Sequence, residues 1–173
     1  RIKQILHITD SVWIFIDIKS AGLRDDFEHS VMSPYQISGS GNWAAVGDGV
    51  TNDPIRAIGQ RASHDFMCAI SPIYVLSDGT IAPLVTFVIK PVYKMVKIGF
   101  DKKTRGQPLG KVEVASIPNG LLLTKNPNYN KLWPGLFYPG KDDKGKDIRK
   151  IRARVDFNIL RSIADWRTFK ILI

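Results

Sequence analysis

The densest group of residues able to bind a charged ligand is a run of Lys and Arg in the last third of the sequence. It begins in the segment PGKDDKGKD at 139–147 and continues into an alternating apolar pattern. Lys and Arg side chains neutralise phosphates, and each neutralised phosphate adds affinity that is independent of base sequence and weakens with salt. The predicted nucleic-acid-binding residues are Lys141, Lys144, Lys146, Arg149, Lys150, Arg152 and Arg154.

Aromatic side chains precede this basic run in the segment YNKLWPGLFYPG at 129–140. Aromatic rings stack on bases in proteins that bind single-stranded nucleic acid, and tryptophan and tyrosine are also enriched at protein interfaces. A second interpretation places the same rings in the hydrophobic core, and the sequence leaves both open. The candidate stacking or interface residues are Trp43, Tyr129, Trp133 and Tyr138.

Three local groups contain residue types used in catalysis or metal binding, and each has a simpler interpretation. Paired carboxylates support acid–base chemistry when burial raises one pKa, but the segment RDDFEHS at 24–30 is typical of a solvated loop. His64 and Cys68 are four residues apart, whereas a zinc site requires three or four ligands. Ser63, His64 and Asp65 are adjacent in sequence, but a catalytic triad is assembled in space. We therefore expect no catalytic residue, no metal and no cofactor.

A glycine-rich segment, ISGSGNWAAVGDGVTND at 37–53, resembles a phosphate-binding loop. Such a loop functions where a strand leads into a helix whose N-terminus faces the phosphate. Gly47 and Gly49 would interrupt that helix soon after it began. The segment is therefore predicted to be a mobile loop with Trp43 as its one aromatic anchor.

The elements that must position these residues are predicted to be mostly strands. Apolar alternation indicates strands at 11–19, 73–90 with a turn at 77–79, 111–117, 149–160 and 166–173. A helix is predicted near residues 54–69, because Asp53 can cap it, Pro54 suits its first turn and apolar residues recur at helical spacing. The expected fold is a single β-rich domain spanning 1–173, mainly β (a β-sandwich or jelly-roll-like) or α+β.

Charge and composition limit the classes of function that suit this chain. The 173 residues, 44% of them hydrophobic, suit one packed domain, and the single Cys excludes an intrachain disulfide. Residues 90–154 contain 16 Lys and Arg against 5 Asp and Glu, a net charge of +11, whereas residues 1–89 contain 6 against 9, a net −3. A basic half of this kind suits nucleic acid or an anionic membrane surface. A solvated face that aids solubility is the alternative.

These observations favour a non-enzymatic structural protein that self-associates and binds nucleic acid or nucleoprotein, as a viral coat or matrix protein does. Such a protein would reside in a virion or inside a host cell. The alternative is an extracellular β-sandwich adhesin or fimbrial-type subunit at a bacterial cell surface. The segments VTFVIKPVYKMVKIGF and KVEVASIPNGLLL are similar in layout to fimbrillin-like surface proteins, although the strong basic charge counts against them. An enzyme is the third hypothesis, and a concave pocket at residues 25–29 would favour it.

Overall fold

The computed structural model describes residues 11–22, 25–41, 51–94, 108–140 and 151–173. These residues form strands and short helices, with single 3-10 turns at Pro34–Gln36 and Asp165–Arg167. The strands are β1 (Trp13–Ile18), β2 (Ala21–Gly22), β3 (His29–Met32), β4 (Ile55–Ile58), β5 (Ser63–Phe66), β6 (Ile73–Val75), β7 (Ile81–Tyr93), β8 (Leu109–Ile117), β9 (Phe137–Tyr138), β10 (Ala153–Asp156) and β11 (Thr168–Leu172). The helices are α1 (Gly120–Lys125), α2 (Pro127–Leu132) and α3 (Phe157–Ile163).

The larger sheet is built around the long strand β7. Its order is β1–β7–β8–β11, and β2 and β6 also pair with β7. Strands β1 and β2 run parallel to β7, while β6 and β8 are antiparallel to it and β11 is antiparallel to β8. Gly79 adopts a φ of +84° in the turn between β6 and β7, a conformation that glycine tolerates without strain.

A smaller antiparallel sheet of order β3–β10–β9 lies beside the larger one, and α3 follows β10 directly. The hydrophobic core joins the two sheets and α3. Met32 of β3, Val88 of β7, and Phe157 and Leu160 of α3 are all buried within it. The core therefore fixes where the two sheets lie relative to each other.

The two faces of the larger sheet differ in character. Ile14, Ile16 and Ile18 of β1 lie on the outer face and are 54%, 54% and 68% exposed, as are many apolar residues of β11. The inner face carries Val88 and Ala115 of the core. Because side chains alternate along a strand, Asp17 lies on this inner face.

Much of the predicted architecture is confirmed. The strands expected at 11–19, 73–90, 111–117 and 166–173 are present, with the turn at 77–79 between β6 and β7. The prediction of a mainly β or α+β fold is also confirmed, and the α+β form describes the chain. In the described ranges, no helix is long and apolar enough to cross a membrane.

The helix predicted near residues 54–69 is wrong, because this segment forms the β4–β5 hairpin. Ile55 and Ala57 are buried while Arg56 and Ile58 are exposed, so the burial pattern of β4 has a period of two. The amide of Gly59 donates to the carbonyl of Ala62 at 3.0 Å and closes the turn. Apolar residues at positions 55, 58, 62 and 66 matched a helical period only by coincidence.

The strand predicted at 149–160 is partly wrong. Within its described part, β10 ends at Asp156 and the chain then becomes helical. The Asp156 side chain accepts hydrogen bonds from the amides of Asn158 and Ile159 at 2.8 and 3.0 Å and so caps α3. Phe157 therefore reaches the core from a helix and not from a strand.

Candidate functional site

An acidic and a basic side chain meet at the end of β1. Asp17 and Lys19 are two residues apart, so they project from the same side of the extended chain. The Lys19 Nζ lies 3.1 Å from the Asp17 Oδ2, and the side chains of Asp17 and Lys19 are 11% and 30% exposed respectively. The pair is thus partly withdrawn from water but still accessible from one side.

Gln36 fixes the orientation of the Asp17 carboxylate. Its Nε2 donates to the Asp17 Oδ1 at 3.1 Å, while its Oε1 accepts from the Ser33 amide at 2.7 Å. Because Gln36 ends the 3-10 turn after β3, it connects β1 to the smaller sheet. The Asp17 Oδ2 is buried and receives no hydrogen bond from the described part of the chain, and the Lys19 ammonium group forms an ion pair with it.

This arrangement supplies two groups useful in phosphoryl chemistry. A carboxylate oxygen is a ligand that Mg²⁺ prefers, and an ammonium group stabilises negative charge that develops on a phosphate oxygen. In this pair Asp17 supplies the carboxylate and Lys19 the ammonium group. Among the residues that the structure describes, no group of three or more His, Cys, Asp or Glu is arranged to hold a metal ion.

A cluster of charged residues lies further across the inner face of the larger sheet. Lys111 Nζ contacts Asp26 and Glu113 at 2.6 and 2.9 Å. Burial lowers the pKa of Lys111, but these two carboxylates outweigh it, so the pKa lies above its usual range. Glu28 contacts Lys170 at 3.0 Å.

The pKa of Glu28 is displaced in the opposite direction. Burial raises the pKa of this carboxyl group, but the hydrogen bond and charge of Lys170, together with the charges of Arg161 and Lys111, outweigh it and hold the pKa below its ordinary value. Because Asp26 and Glu28 are both bound by lysines, the 25–29 segment forms ion pairs with the larger sheet.

The outer face of the smaller sheet carries a second group of polar and aromatic side chains. Arg154 of β10 lies between Val31 of β3 and Tyr138 of β9 in the strand register. The ring of His29 meets the ring of Tyr138 edge-on, with centroids 5.8 Å apart. Arg152 precedes β10 and is half-buried like Arg154. Two of the predicted nucleic-acid-binding residues and one predicted stacking residue therefore lie together.

The remaining predicted residues divide into two groups. Tyr129 is 8% exposed and packs on Trp133 with ring centroids 4.7 Å apart, and both contact the core. These two rings therefore favour the core interpretation. The predicted residues outside the described ranges are Trp43, Lys141, Lys144, Lys146, Arg149 and Lys150.

The other residues that the sequence offered for catalysis or ligand binding make structural contacts or are buried. His64 of β5 has its Nε2 3.0 Å from the carbonyl oxygen of Arg152. Cys68 is buried, and burial raises the pKa of its thiol well above its ordinary range. In the described part of the glycine-rich segment, Ser40 accepts from the amide of Asp53 at 2.8 Å, a contact that joins two backbone segments.

Sequence reasoning missed the Asp17–Lys19 pair. The signal was present: the segment WIFIDIK places an Asp and a Lys at alternate positions on the strand face opposite to three isoleucines. Two charged side chains on the inward-facing positions of an apolar strand are costly unless they are paired or used. Gln36, the third member of the site, is distant in sequence and gave no local signal.

Comparison with known proteins shows close relatives. The family model of restriction endonuclease BglI matches residues 1–171. The type II restriction enzyme BglI of Bacillus subtilis is 46% identical over 157 residues, which cover 90% of this chain and 52% of that enzyme. The crystal structure of restriction endonuclease BglI bound to its DNA recognition sequence has a TM-score of 0.81 and 44% identity, covering 95% of this chain and 55% of the other. The chain thus spans about half the length of these relatives.

A more distant structure shares the fold. The tetrameric restriction endonuclease SfiI bound to cognate DNA has a TM-score of 0.62 at 14% identity, covering 92% of this chain and 53% of that one. Identity at this level supports a common fold only.

These relatives correct the function predicted from composition. A non-enzymatic coat or matrix protein is wrong, and so is the alternative of an adhesin or fimbrial subunit, because the matched family consists of DNA-cleaving enzymes. The Asp17–Lys19 pair forms no contiguous catalytic motif, because its two residues alternate with apolar ones like ordinary strand residues. The chain belongs to the restriction endonuclease BglI family.

Proposed function

We propose that this chain takes part in hydrolysis of phosphodiester bonds in duplex DNA as a type II restriction endonuclease. The observation that carries the proposal is the Asp17–Lys19 pair, which Gln36 orients at the end of β1. The likeness to BglI, whose structure was determined with its DNA recognition sequence, supports DNA as the substrate.

The donor chemistry of Asp17 fits a divalent metal ion. Its carboxylate supplies hard oxygen ligands, and its Oδ2 receives no hydrogen bond from the described residues. Mg²⁺ commonly uses one or two carboxylates and completes its shell with water and substrate phosphate. When bound, such an ion lowers the pKa of a water molecule and offsets the negative charge of the phosphate.

Each residue of the site then has a defined task. Asp17 would hold the metal ion, and Gln36 keeps the carboxylate in one orientation through its bond to Oδ1. Lys19 places its ammonium group next to Asp17, where it stabilises negative charge developing on a phosphate oxygen. This task requires a fixed position, which the strand backbone and the ion pair supply.

The smaller sheet is the proposed DNA-contacting surface. Arg152 and Arg154 supply positive charge that positions the DNA backbone, and Tyr138 lies next to Arg154 in the register. The basic residues at 141–150 remain predicted contacts. Self-association of this chain also stays a prediction. The comparisons give no support to an anionic membrane partner.

Incubation with long unmethylated duplex DNA and Mg²⁺, followed by sequencing of the fragment ends, tests the proposal. We expect discrete fragments whose ends share one sequence. Asp17→Asn keeps the hydrogen bond from Gln36 but removes a charge, so it should lower the cleavage rate roughly 100- to 1,000-fold, as loss of a main electrostatic group does.

The matched control is Asp78→Asn, which changes an exposed turn carboxylate bound to the Thr80 amide. This variant should cleave like the unmodified protein. Absence of cleavage by the unmodified protein, or full activity of Asp17→Asn, would contradict the proposal.

A further inference from the structure

The ammonium group of Lys90, near the C-terminal end of β7, is buried and bound to backbone carbonyls. The residue is 3% exposed. Its Nζ donates to the carbonyl oxygen of Phe27 at 2.5 Å and also lies 3.4 Å from the carbonyl oxygen of His29. These two carbonyls belong to the segment that enters β3. Lys90 therefore joins the larger sheet to the first strand of the smaller sheet.

Carboxylates surround the buried charge. Glu113 and Asp26 lie 3.7 and 3.9 Å from the Lys90 Nζ, and Glu113 is itself 3% exposed. Lys111 and Lys170 contact Glu113 from the other side, at 2.9 and 3.3 Å. Burying such a pair costs several kcal/mol of desolvation, and an apolar pair of similar size often stabilises a fold as well. Stability alone therefore does not account for Lys90.

Lys90 lies next to both parts of the proposed active protein, which are the Asp17–Lys19 pair and the smaller sheet. In the parallel pairing of β1 with β7, Ile18 lies beside Ile89, and the Lys19 amide donates to the Ile89 carbonyl at 2.9 Å. Lys90 therefore follows the residue that holds Lys19 in place. On its other side, the segment bound by Lys90 leads into β3.

Strand β3 pairs directly with the strand that carries the predicted DNA contacts. His29 lies beside Asp156 and Val31 beside Arg154. The Phe157 amide also donates to the Glu28 carbonyl at 2.9 Å, so the same segment is bound at its other edge by the start of α3. A shift of residues 27–29 would therefore be transmitted to the smaller sheet.

We propose that Lys90 is a positioning residue for DNA cleavage, which sets the distance between the Asp17–Lys19 pair and the DNA-contacting face of the smaller sheet. This inference rests on the proposed function. Lys90 does not contact the reacting groups; it acts through the two carbonyls at the entry to β3. Its loss should leave each sheet intact but change how one lies against the other.

The variant Lys90→Met tests this by separating cleavage from binding. A misplacement of about 1 Å costs on the order of 100-fold in rate, so we expect the single-turnover rate at saturating protein to fall by roughly 10- to 100-fold. The Kd for the same DNA, measured by fluorescence anisotropy without Mg²⁺, should change by less than about threefold, because Arg152 and Arg154 are unchanged. Amide hydrogen exchange should quicken at residues 27–32 and not in β7 or β8.

Glu113→Gln is the matched control. It removes a charge from the same cluster but leaves both carbonyl contacts of Lys90 in place, so it should keep the single-turnover rate within about threefold of the parent. If Lys90→Met does not fold, the double variant Lys90→Met with Glu113→Met replaces the buried pair together and should show the same separation of rate from Kd.

The outcomes distinguish the two proposals. A parent protein that does not cleave DNA overturns the proposed function, and the hydrogen-exchange comparison still tests whether Lys90 couples the sheets. A parent that cleaves while Lys90→Met keeps its rate overturns the positioning role. Parallel loss of rate, affinity and thermal stability in Lys90→Met, matched by Glu113→Gln, also overturns it, because a merely structural role predicts that pattern.

Discussion

The Asp17–Lys19 pair and the outer face of the smaller sheet place charged groups in different settings. Asp17 is nearly enclosed, is bound by Gln36 through one oxygen and faces Lys19 through the other. Arg152 and Arg154 instead lie half-buried at alternate positions leading into and along β10, on a face shared with Tyr138. The first setting fixes a few atoms in one geometry, and the second spreads positive charge over a surface.

Under the proposed function, this difference separates reaction from binding. Catalysis depends on groups held where charge develops, whereas affinity for the phosphate backbone depends on the number of neutralised phosphates. Substitutions at the pair should therefore change the rate at saturation. Substitutions on the smaller sheet should change the Kd and its dependence on salt.

Among the variants that test this separation of rate from Kd, Lys19→Met should have the largest effect. Removing one preorganised charge-stabilising group costs roughly 100- to 1,000-fold in the rate of the chemical step. The methionine keeps most of the side-chain length, so β1 should remain paired with β7 and the Kd for DNA should stay close to that of the parent. Single-turnover cleavage at saturating protein measures the rate.

Lys131→Met on α2 is the matched substitution of an exposed lysine. It should leave both rate and Kd unchanged. A Lys19→Met protein that cleaves like the Lys131→Met protein would show that the ammonium beside Asp17 takes no part in the reaction.

Arg154→Gln should give a smaller effect, confined to binding. Loss of one phosphate contact weakens affinity similarly for all sequences and lowers the slope of log K against log salt by about one. The rate at saturating protein should be retained, because the Asp17–Lys19 pair is unchanged. Anisotropy titrations at several salt concentrations measure the slope, and Lys131→Gln serves as the control. If Arg154→Gln leaves the salt slope unchanged but lowers the rate at saturating protein, the proposed assignment of binding to the smaller sheet is contradicted.

The sequence predicted most of the strands because their patterns are local. Polar and apolar residues alternate from Lys111 to Val114 in strand β8, and Gly79 marks the turn before β7. The β4–β5 hairpin was missed because the apolar residues at 55, 58, 62 and 66 suit a helical period, whereas the folded chain buries Ile55 and Ala57 and leaves Ile58 exposed. Asp156 could have signalled the end of β10, since aspartate is a preferred helix cap.

Only the charged surface of the candidate site could be proposed from the sequence. A high density of Lys and Arg is visible in the sequence itself, so Arg152 and Arg154 were proposed as DNA contacts and stay a prediction. One Asp and one Lys in an apolar strand are unremarkable by composition, and Gln36 is brought to them only by the folded chain. Lys90 and Glu113 likewise become neighbours through strand pairing. Sequence patterns thus suggested a charged binding surface, while the arrangement of Asp17, Lys19 and Gln36 could be described only from the fold.

The ion pair between Glu28 and Lys170 yields the smallest predicted effect, on acid stability. The pKa of Glu28 lies below its ordinary value of 4.5 in the folded chain, because Lys170 and Arg161 outweigh the effect of burial. The ionised group therefore stabilises the fold above the unfolded pKa, and this contribution is lost as pH falls through the folded pKa. Glu28→Gln should lower Tm slightly near neutral pH and reduce the further loss of Tm below about pH 4.5.

Thermal unfolding followed by circular dichroism between pH 3 and pH 7 measures this difference. Lys170→Met removes the partner of Glu28, so its Tm should fall less steeply at acid pH, like that of Glu28→Gln. Asp25→Asn changes an exposed carboxyl group in the same segment, and its Tm should depend on pH like that of the parent. A Tm that still falls steeply at acid pH in Glu28→Gln would contradict the assignment of this acid sensitivity to the ion pair of Glu28 with Lys170.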